Sequence, residues 1–165
     1  MLSGLHVPLV TPFDADGAVD LAALERLAEE VLGDGADGLV ALATTAEASA
    51  LDERERDAVL AVCARVAADR GAPLMVGAGT NDTRTTIARH EALAEVEGVT
   101  ASLAVVPYYV RPSEAAIVEH FQAVAARSPV PIVVYNIPYR TGAGSARPPC
   151  SSWPAPTASS ASSRP

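Results

Sequence analysis

The chain has 165 residues with a formal net charge of −8 at pH 7, and all 12 of its basic side chains are arginine. Its hydrophobic fraction of 49% is enough for a globular core, but no apolar run approaches the about 20 residues of a membrane span, and no cationic signal sequence is visible. Because nucleic acids are bound through clustered cations, the acidic balance argues against them, and we expect a cytoplasmic protein without nucleic-acid or membrane partners.

Short apolar runs recur along the chain and predict strands at 5–10, 38–42, 73–76, 101–106 and 131–135. Amphipathic helices are predicted between them. The second helix begins at a capping box made by Asp52 and Glu55, and the third follows Asn81 or Asp82 as its cap. Strand and helix in regular succession predict parallel strands joined by right-handed crossovers, in an α/β fold that is either a doubly wound sheet or a (βα) barrel.

In either fold the polar groups that follow the strands meet at one edge of the sheet. These groups are Thr11, then Thr44, Thr45 and Glu47, then residues 77–81, then Tyr108 and Tyr109, then residues 135–141. Aromatic packing at a subunit interface is one interpretation of the four tyrosines between 108 and 139. Threonine and tyrosine hydroxyls for proton relay, with the Arg140 guanidinium for a carboxylate, favour instead a site for an oxo acid.

Nucleotide and metal sites are poor matches to the sequence. In the VGAGTND segment at 76–82, Asp82 stands where GxGxxG requires its last glycine, and a Walker loop needs a lysine. A tight strand-to-helix turn explains those glycines better. The histidines and cysteines lack metal-ligand spacing and lie apart, at His6, His90, His120, Cys63 and Cys150. We therefore expect neither a metal nor a cofactor.

Five segments carry a family resemblance in their order and spacing: VPLVTPF at 7–13, ATTAE at 43–47, GAGTND at 77–82, VVPYYVRP at 105–112 and VYNIPYRTG at 134–142. They resemble the dihydrodipicolinate synthase / N-acetylneuraminate lyase family. The resemblance implies a (βα)8 TIM barrel that acts on pyruvate or related oxo acids through a lysine Schiff base. Arg-Thr-Gly at 140–142 is more similar to the synthase, a lyase of lysine biosynthesis that condenses pyruvate with aspartate semialdehyde. Other aldolases and dehydratases of the family remain alternatives.

The resemblance also implies roles for individual residues. Thr44 would join the proton relay and, with Thr45, would hold the pyruvate carboxylate. Tyr135 would be the central phenol of the relay, and Tyr109 would reach across a dimer interface into the neighbouring site of a homo-oligomer. Arg140 would clamp the carboxylate of the second substrate.

The chain departs from the family pattern at three positions. Ala43 and Ala46 replace the glycines of GTTGE, and Val110 replaces an asparagine that is common after the paired tyrosines. Glycine often lets backbone approach a ligand closely, so each added methyl group is expected to crowd the site. The choice of substrate is therefore left open.

The family's Schiff-base lysine ends the sixth strand, after the segment that contains Arg140, but this sequence has no lysine. We expect residues 1–144 to form a barrel truncated after about five strands. The Ser-, Pro- and Ala-rich segment 145–165 is expected to be disordered, and its composition suggests a segment read out of frame. A guanidinium stays protonated and does not replace the amine, so we expect the chain alone to be inactive. We also expect the open edges of the truncated barrel to associate with other chains. A non-catalytic, carboxylate-binding module is the alternative.

Overall fold

Parallel strands alternate with helices in a computed structural model that describes residues 3–142. The strands are β1 (His6–Pro8), β2 (Gly38–Ala41), β3 (Leu74–Gly77), β4 (Val99–Val105) and β5 (Ile132–Tyr135). Each agrees with its predicted range to within two residues at either end. The predicted disordered segment, 145–165, lies outside the described residues, and so do residues 143 and 144 at the end of the predicted barrel portion.

The helices are α1 (Leu21–Gly33), α2 (Glu53–Arg70), α3 (Thr83–Ala92), α4 (Glu114–Ala125) and the short α5 (Pro138–Thr141). The predicted capping box opens α2, because the Asp52 carboxylate accepts from the Glu55 amide at 2.8 Å and the Glu55 carboxylate accepts from the Asp52 amide at 2.9 Å. Asp82 caps α3, its carboxylate accepting from the Thr85 amide. Within residues 3–142 no helix is both long and apolar enough to cross a bilayer.

The strands are ordered β1-β2-β3-β4-β5, and every neighbouring pair is parallel. Sequential order means that each helix returns the chain to the next position on the same side, as in a (βα) barrel. A doubly wound sheet reverses its strand order at a switch point. The doubly wound alternative is therefore wrong for this chain.

Apolar side chains cover both faces of the sheet. One face packs against α1 and α2 through a large cluster that includes Leu24, Leu39, Cys63, Val66 and Leu74. The opposite face carries a smaller cluster formed by Val40, Ala43, Met75 and Ala101, with Leu103 and Val133 packed against it. Apolar burial on both faces is typical of parallel sheets, and it directs the polar chemistry to the ends of the strands.

Two glycines of the 76–82 segment allow close approach between strands. A Cβ atom on Gly77 would overlap the carbonyl oxygen of Leu42, and one on Gly79 would lie 2.5 Å from the Val105 nitrogen. Neither glycine has a positive φ. The glycines therefore let β3 pack tightly against the ends of β2 and β4, in keeping with a tight turn.

Candidate functional site

A cleft of about 510 Å³ opens at the carboxyl ends of β2, β4 and β5, and we call it the rim cleft. Its lining residues come from three places along the chain: Thr44 and Thr45 after β2, Val105 and Tyr108 at the end of β4, and Tyr135, Ile137, Tyr139, Arg140 and Thr141 around α5. Four of the five predicted site residues, all except Tyr109, thus line one cleft.

A second cleft of about 470 Å³, the adjoining cleft, shares Thr44, Val105, Tyr108 and Tyr135 with the rim cleft. It extends towards the loop between β3 and α3, where Gly79, Thr80, Asn81, Asp82 and Arg89 line it. Between them, the two clefts are lined by several hydroxyl groups, by the guanidinium groups of Arg89 and Arg140, and by one carboxylate, Asp82.

Thr44 and Thr45 lie in a single turn of 3-10 helix, Thr44–Ala46, and both are exposed. The residues on either side of this segment have left-handed backbone although neither is glycine: Leu42 has φ 54° and Glu47 has φ 51°. Such residues are uncommon, and they often mark functional turns that the surrounding structure holds in place. The turn therefore presents both hydroxyls at the mouth of the rim cleft.

The backbone accommodates the two alanines that replace family glycines. Ala43 has φ −77°, an ordinary value for any residue, and Ala46 lies within the 3-10 turn without a positive φ. Both methyl groups are buried, with 8% of Ala43 and 2% of Ala46 exposed. Ala43 also lines the adjoining cleft, so the added methyl narrows that cleft without straining the chain.

Arg140 is exposed in the last turn of α5, beside Tyr139. Its Nε donates to the Tyr139 hydroxyl at 3.2 Å, and its guanidinium carbon lies 5.3 Å from the centre of that ring. The hydrogen bond to Tyr139 raises the pKa of Arg140 above its usual range. Among the described residues no acidic side chain forms a salt bridge with Arg140. The guanidinium is therefore available to an anion in the rim cleft.

The paired tyrosines after β4 are divided between two environments. Tyr108 is 38% exposed and lines both clefts, whereas Tyr109 is 89% exposed and lines neither. Tyr109 has a left-handed φ of 70°, which turns the chain sharply here. Its predicted role in a neighbouring copy's site stays a prediction. The sequence places Tyr108 at this edge of the sheet but gives a role only to Tyr109, because adjacent side chains can face opposite ways and the YY pair does not say which faces inward.

The buried histidines and the cysteine of the helices lie away from the clefts. His90 on α3 and His120 on α4 are 0% and 5% exposed, and burial lowers the pKa of both. Cys63 on α2 is buried, which raises the pKa of its thiol to about 12. None of the three lines either cleft; the hydroxyl groups there and the Asp82 carboxylate at the adjoining cleft are the groups placed to exchange protons. Within residues 3–142 no three His, Cys, Asp or Glu side chains are grouped as metal ligands.

Comparison with known proteins identifies relatives over nearly the whole described chain. A protein-family model described as the dihydrodipicolinate synthetase family matches residues 1–145. The 4-hydroxy-tetrahydrodipicolinate synthase of Xanthomonas axonopodis pv. citri is 44% identical over 141 residues, which are 86% of this chain and 46% of that protein. The synthase of Moorella thermoacetica is 43% identical over 134 residues, 81% of this chain and 45% of that protein.

Solved structures give the same result. The dihydrodipicolinate synthase of Acinetobacter baumannii, solved in complex with pyruvate, superposes with a TM-score of 0.82 at 38% identity, over 87% of this chain and 48% of that chain. The synthase of Methylacidiphilum fumariolicum SolV gives a TM-score of 0.81 at 34% identity, over 87% and 47% of the two chains. This chain therefore spans about half the length of the relatives it matches. In sequence and in fold, the chain belongs to the dihydrodipicolinate synthetase family.

Proposed function

We propose that the rim cleft binds a small oxo acid, pyruvate, as one part of a lyase site of the 4-hydroxy-tetrahydrodipicolinate synthase type. The observation that carries the proposal is the convergence of Thr44, Thr45, Tyr135 and Arg140 on one cleft at the carboxyl ends of the strands. The pyruvate complex of the similar Acinetobacter protein supports this choice of ligand.

Thr44 and Thr45 would hold the pyruvate carboxylate. Both hydroxyls are exposed at the mouth of the cleft and are free to donate. A hydrogen bond to a charged group contributes about 1.5 to 3 kcal/mol in a protected site, and we expect the lower part of that range in an open cleft. Two such donors would orient the carboxylate within a cleft that Tyr135 also lines.

Tyr135 would relay protons to and from the substrate carbonyl. It ends β5, is half-buried and borders both clefts together with Thr44. A hydroxyl can donate and accept at the same time, so Thr44 and Tyr135 can pass a proton without adding a formal charge to the site. We propose that Tyr109, at 89% exposed, completes this relay in the site of a second copy of the chain.

Arg140 would bind the carboxylate of the second substrate, for which we propose aspartate semialdehyde. Its guanidinium borders the rim cleft and has no acidic partner among the described residues. A planar guanidinium fork matches a carboxylate through two parallel hydrogen bonds. The Arg140-Thr141-Gly142 segment favours this reaction over those of the sugar-acid aldolases of the family.

Carbon–carbon bond formation through an imine requires a primary amine, and the 165 residues include no lysine. The guanidinium of arginine stays protonated and does not replace it. We therefore propose that this chain by itself binds the oxo acid without turning it over. The alternative interpretation, a non-catalytic module that binds carboxylates, also predicts binding without turnover. The two interpretations therefore make the same prediction for the isolated chain.

Calorimetric titration with pyruvate tests this proposal. The wild-type chain is compared with the double variant Thr44→Val, Thr45→Val. We expect the variant to bind at least roughly tenfold more weakly, since two charge-assisted hydrogen bonds are lost. Thr100→Val is the matched control, because Thr100 lies near the start of β4, at the opposite end of the strand from the cleft. Borohydride added with pyruvate should leave every side chain unmodified by mass. Equal affinity of the double variant and the wild type, or a side-chain adduct, would refute the proposal.

A further inference from the structure

Thr11, just beyond β1, reaches the turn that carries Thr44 and Thr45. Its side chain is nearly covered, with 6% of the residue exposed, and its hydroxyl donates to the Ala46 carbonyl at 2.7 Å. The accepting carbonyl belongs to the residue directly after Thr45. Thr11 lines neither cleft, so any effect on a ligand has to pass through the turn.

The turn has little to hold it besides such contacts. It is a single turn of 3-10 helix, which is too short to be stable by itself. It has two hydrogen bonds of its own: the Ala46 amide lies 3.1 Å from the Ala43 carbonyl, and the Glu47 amide lies 3.3 Å from the Thr44 carbonyl, beyond the usual range. The left-handed residues Leu42 and Glu47 add strain next to it. A strained turn keeps its shape only where neighbouring elements fix it.

The Thr11 hydroxyl is not needed to join β1 to β2. The strands pair from His6 with Gly38 to Pro8 with Val40, and the Leu9 amide extends this ladder by donating to the Val40 carbonyl at 3.0 Å. The only side-chain hydrogen bond that Thr11 makes among the described residues goes to the turn. The contact therefore serves the shape of the turn and not the pairing of the sheet.

A second side chain holds the segment from the other side. Arg56 of α2 donates from Nη1 to the Ala48 carbonyl at 2.9 Å. Burial lowers the pKa of Arg56, and the charge of Arg89 lowers it further. Residues 44–48 are thus tied to β1 through Ala46 and to α2 through Ala48. Of the two contacts, that of Thr11 lies nearer to the hydroxyls proposed to bind the substrate.

From these contacts we infer that Thr11 is a positioning residue, which fixes the Thr44–Thr45 turn in the conformation that binds the carboxylate. The inference rests on the proposed function. Thr11→Val keeps the shape of the side chain and removes the hydroxyl. We expect it to weaken pyruvate binding roughly five- to tenfold, as loss of one buried hydrogen bond would do, and to speed hydrogen exchange at the Ala46 and Glu47 amides.

Two further variants separate positioning from general stability. Thr11→Ser retains the hydroxyl and should restore both the affinity and the exchange rates. Thr100→Val removes a similar contact, in which the Thr100 hydroxyl donates to the Leu74 carbonyl at 2.9 Å, at the other end of the strands. We expect Thr100→Val to lower the stability of the fold but to leave the pyruvate affinity and the exchange rates of the Ala46 and Glu47 amides unchanged.

Pyruvate affinity and amide exchange are measured on the same samples of the 165-residue chain. Wild-type affinity in Thr11→Val, or unchanged exchange at Ala46 and Glu47, overturns the inference. The Thr11 hydroxyl proton of the wild type provides a test that needs no variant to fold: slow exchange with water supports the contact, and fast exchange overturns it. If the wild type binds no pyruvate, the proposed function fails, and the exchange data still show whether Thr11 holds the turn.

Discussion

Thr44 and Tyr135 border the same two clefts, although β2 and β5 are separated in the sheet by β3 and β4. This is the arrangement expected of a (βα) barrel, in which consecutive parallel strands curve around a common axis. Parallel strands twist in a fixed direction and bring their carboxyl ends towards a common axis. Residues far apart in sequence thereby share one site, and each of our predictions about ligands depends on that curvature.

Arg140 is predicted to select ligands that carry a second carboxylate. Arg140→Gln should weaken binding of 2-oxoglutarate roughly two- to fivefold, the range of an exposed ion pair, and should change pyruvate affinity less. Arg127→Gln is the matched control, because Arg127 follows α4 and pairs with Glu91 outside the clefts. The measurement is calorimetric titration of each variant with both ligands. An equal loss for both ligands would contradict a role specific to the second carboxylate.

The seam between α3 and α4 is predicted to make the fold sensitive to acid. The ring of His120 on α4 is hydrogen-bonded through Nδ1 to the Thr83 hydroxyl on α3 at 2.8 Å, and His90 is buried nearby on α3. Burial is the main cause that lowers the pKa of both histidines. The charge of His90 lowers the pKa of His120 further and that of Asp82 opposes this, while the hydrogen bond to the Thr86 carbonyl opposes the shift at His90. Both rings therefore resist protonation in the folded chain.

The sign of the pH dependence follows from these lowered pKa values. Above about pH 6.5 the histidines are neutral in folded and unfolded chains alike, and they add no pH dependence. As the pH is lowered below this value, the unfolded chain binds protons before the folded chain does. The free energy of unfolding should therefore decrease as the pH decreases, by up to about 1.4 kcal/mol per pH unit for each histidine. Urea unfolding between about pH 7.5 and 5 measures this slope.

His120→Gln should reduce that slope, whatever its effect on stability at neutral pH. His6→Gln, on β1 and away from the seam, is the control and should keep it. An unfolding free energy that does not fall over this pH range, or an equal slope in His120→Gln and the wild type, would show that the seam is not the acid-sensitive element.

Much of the fold could be predicted because hydrophobic periodicity and capping chemistry are local. The capping box of Asp52 and Glu55 and the five strands needed only neighbouring residues. The site was harder to predict from the sequence, because the residues after β2 and β5 come together only in the folded sheet. The resemblance to a known family brought Thr44, Thr45, Tyr135 and Arg140 together as a hypothesis; all four line one cleft, and their roles stay predictions.

The rest of the site depends on backbone details that no local pattern encodes. The left-handed backbone at Tyr109 turns its side chain outwards and leaves Tyr108 against the clefts. Thr11 follows a strand, like the other polar residues of this edge, but its contact with Ala46 depends on tertiary packing between β1 and a turn far along the chain. Sequence alone distinguishes neither residue from its neighbours.

The strand edges are predicted to drive association of the isolated chain. Within residues 3–142, β1 and β5 each pair with a single strand, and all four residues of β5, Ile132–Tyr135, are partly exposed. Unpaired, apolar edges are ready templates for another chain. Association of the chain should therefore increase with protein concentration. Sedimentation velocity over a range of concentrations provides the measurement, and a monodisperse wild-type monomer would contradict the prediction.

The most direct test of the central claim is to map where pyruvate binds, by titrating the ¹⁵N-labelled chain and following its amide resonances. We predict saturable shifts at Thr44, Thr45, Tyr108, Tyr135 and Arg140, with little change in α2 and α4. No saturable shifts, or shifts concentrated away from the carboxyl ends of the strands, would contradict the claim that these side chains form one oxo-acid site.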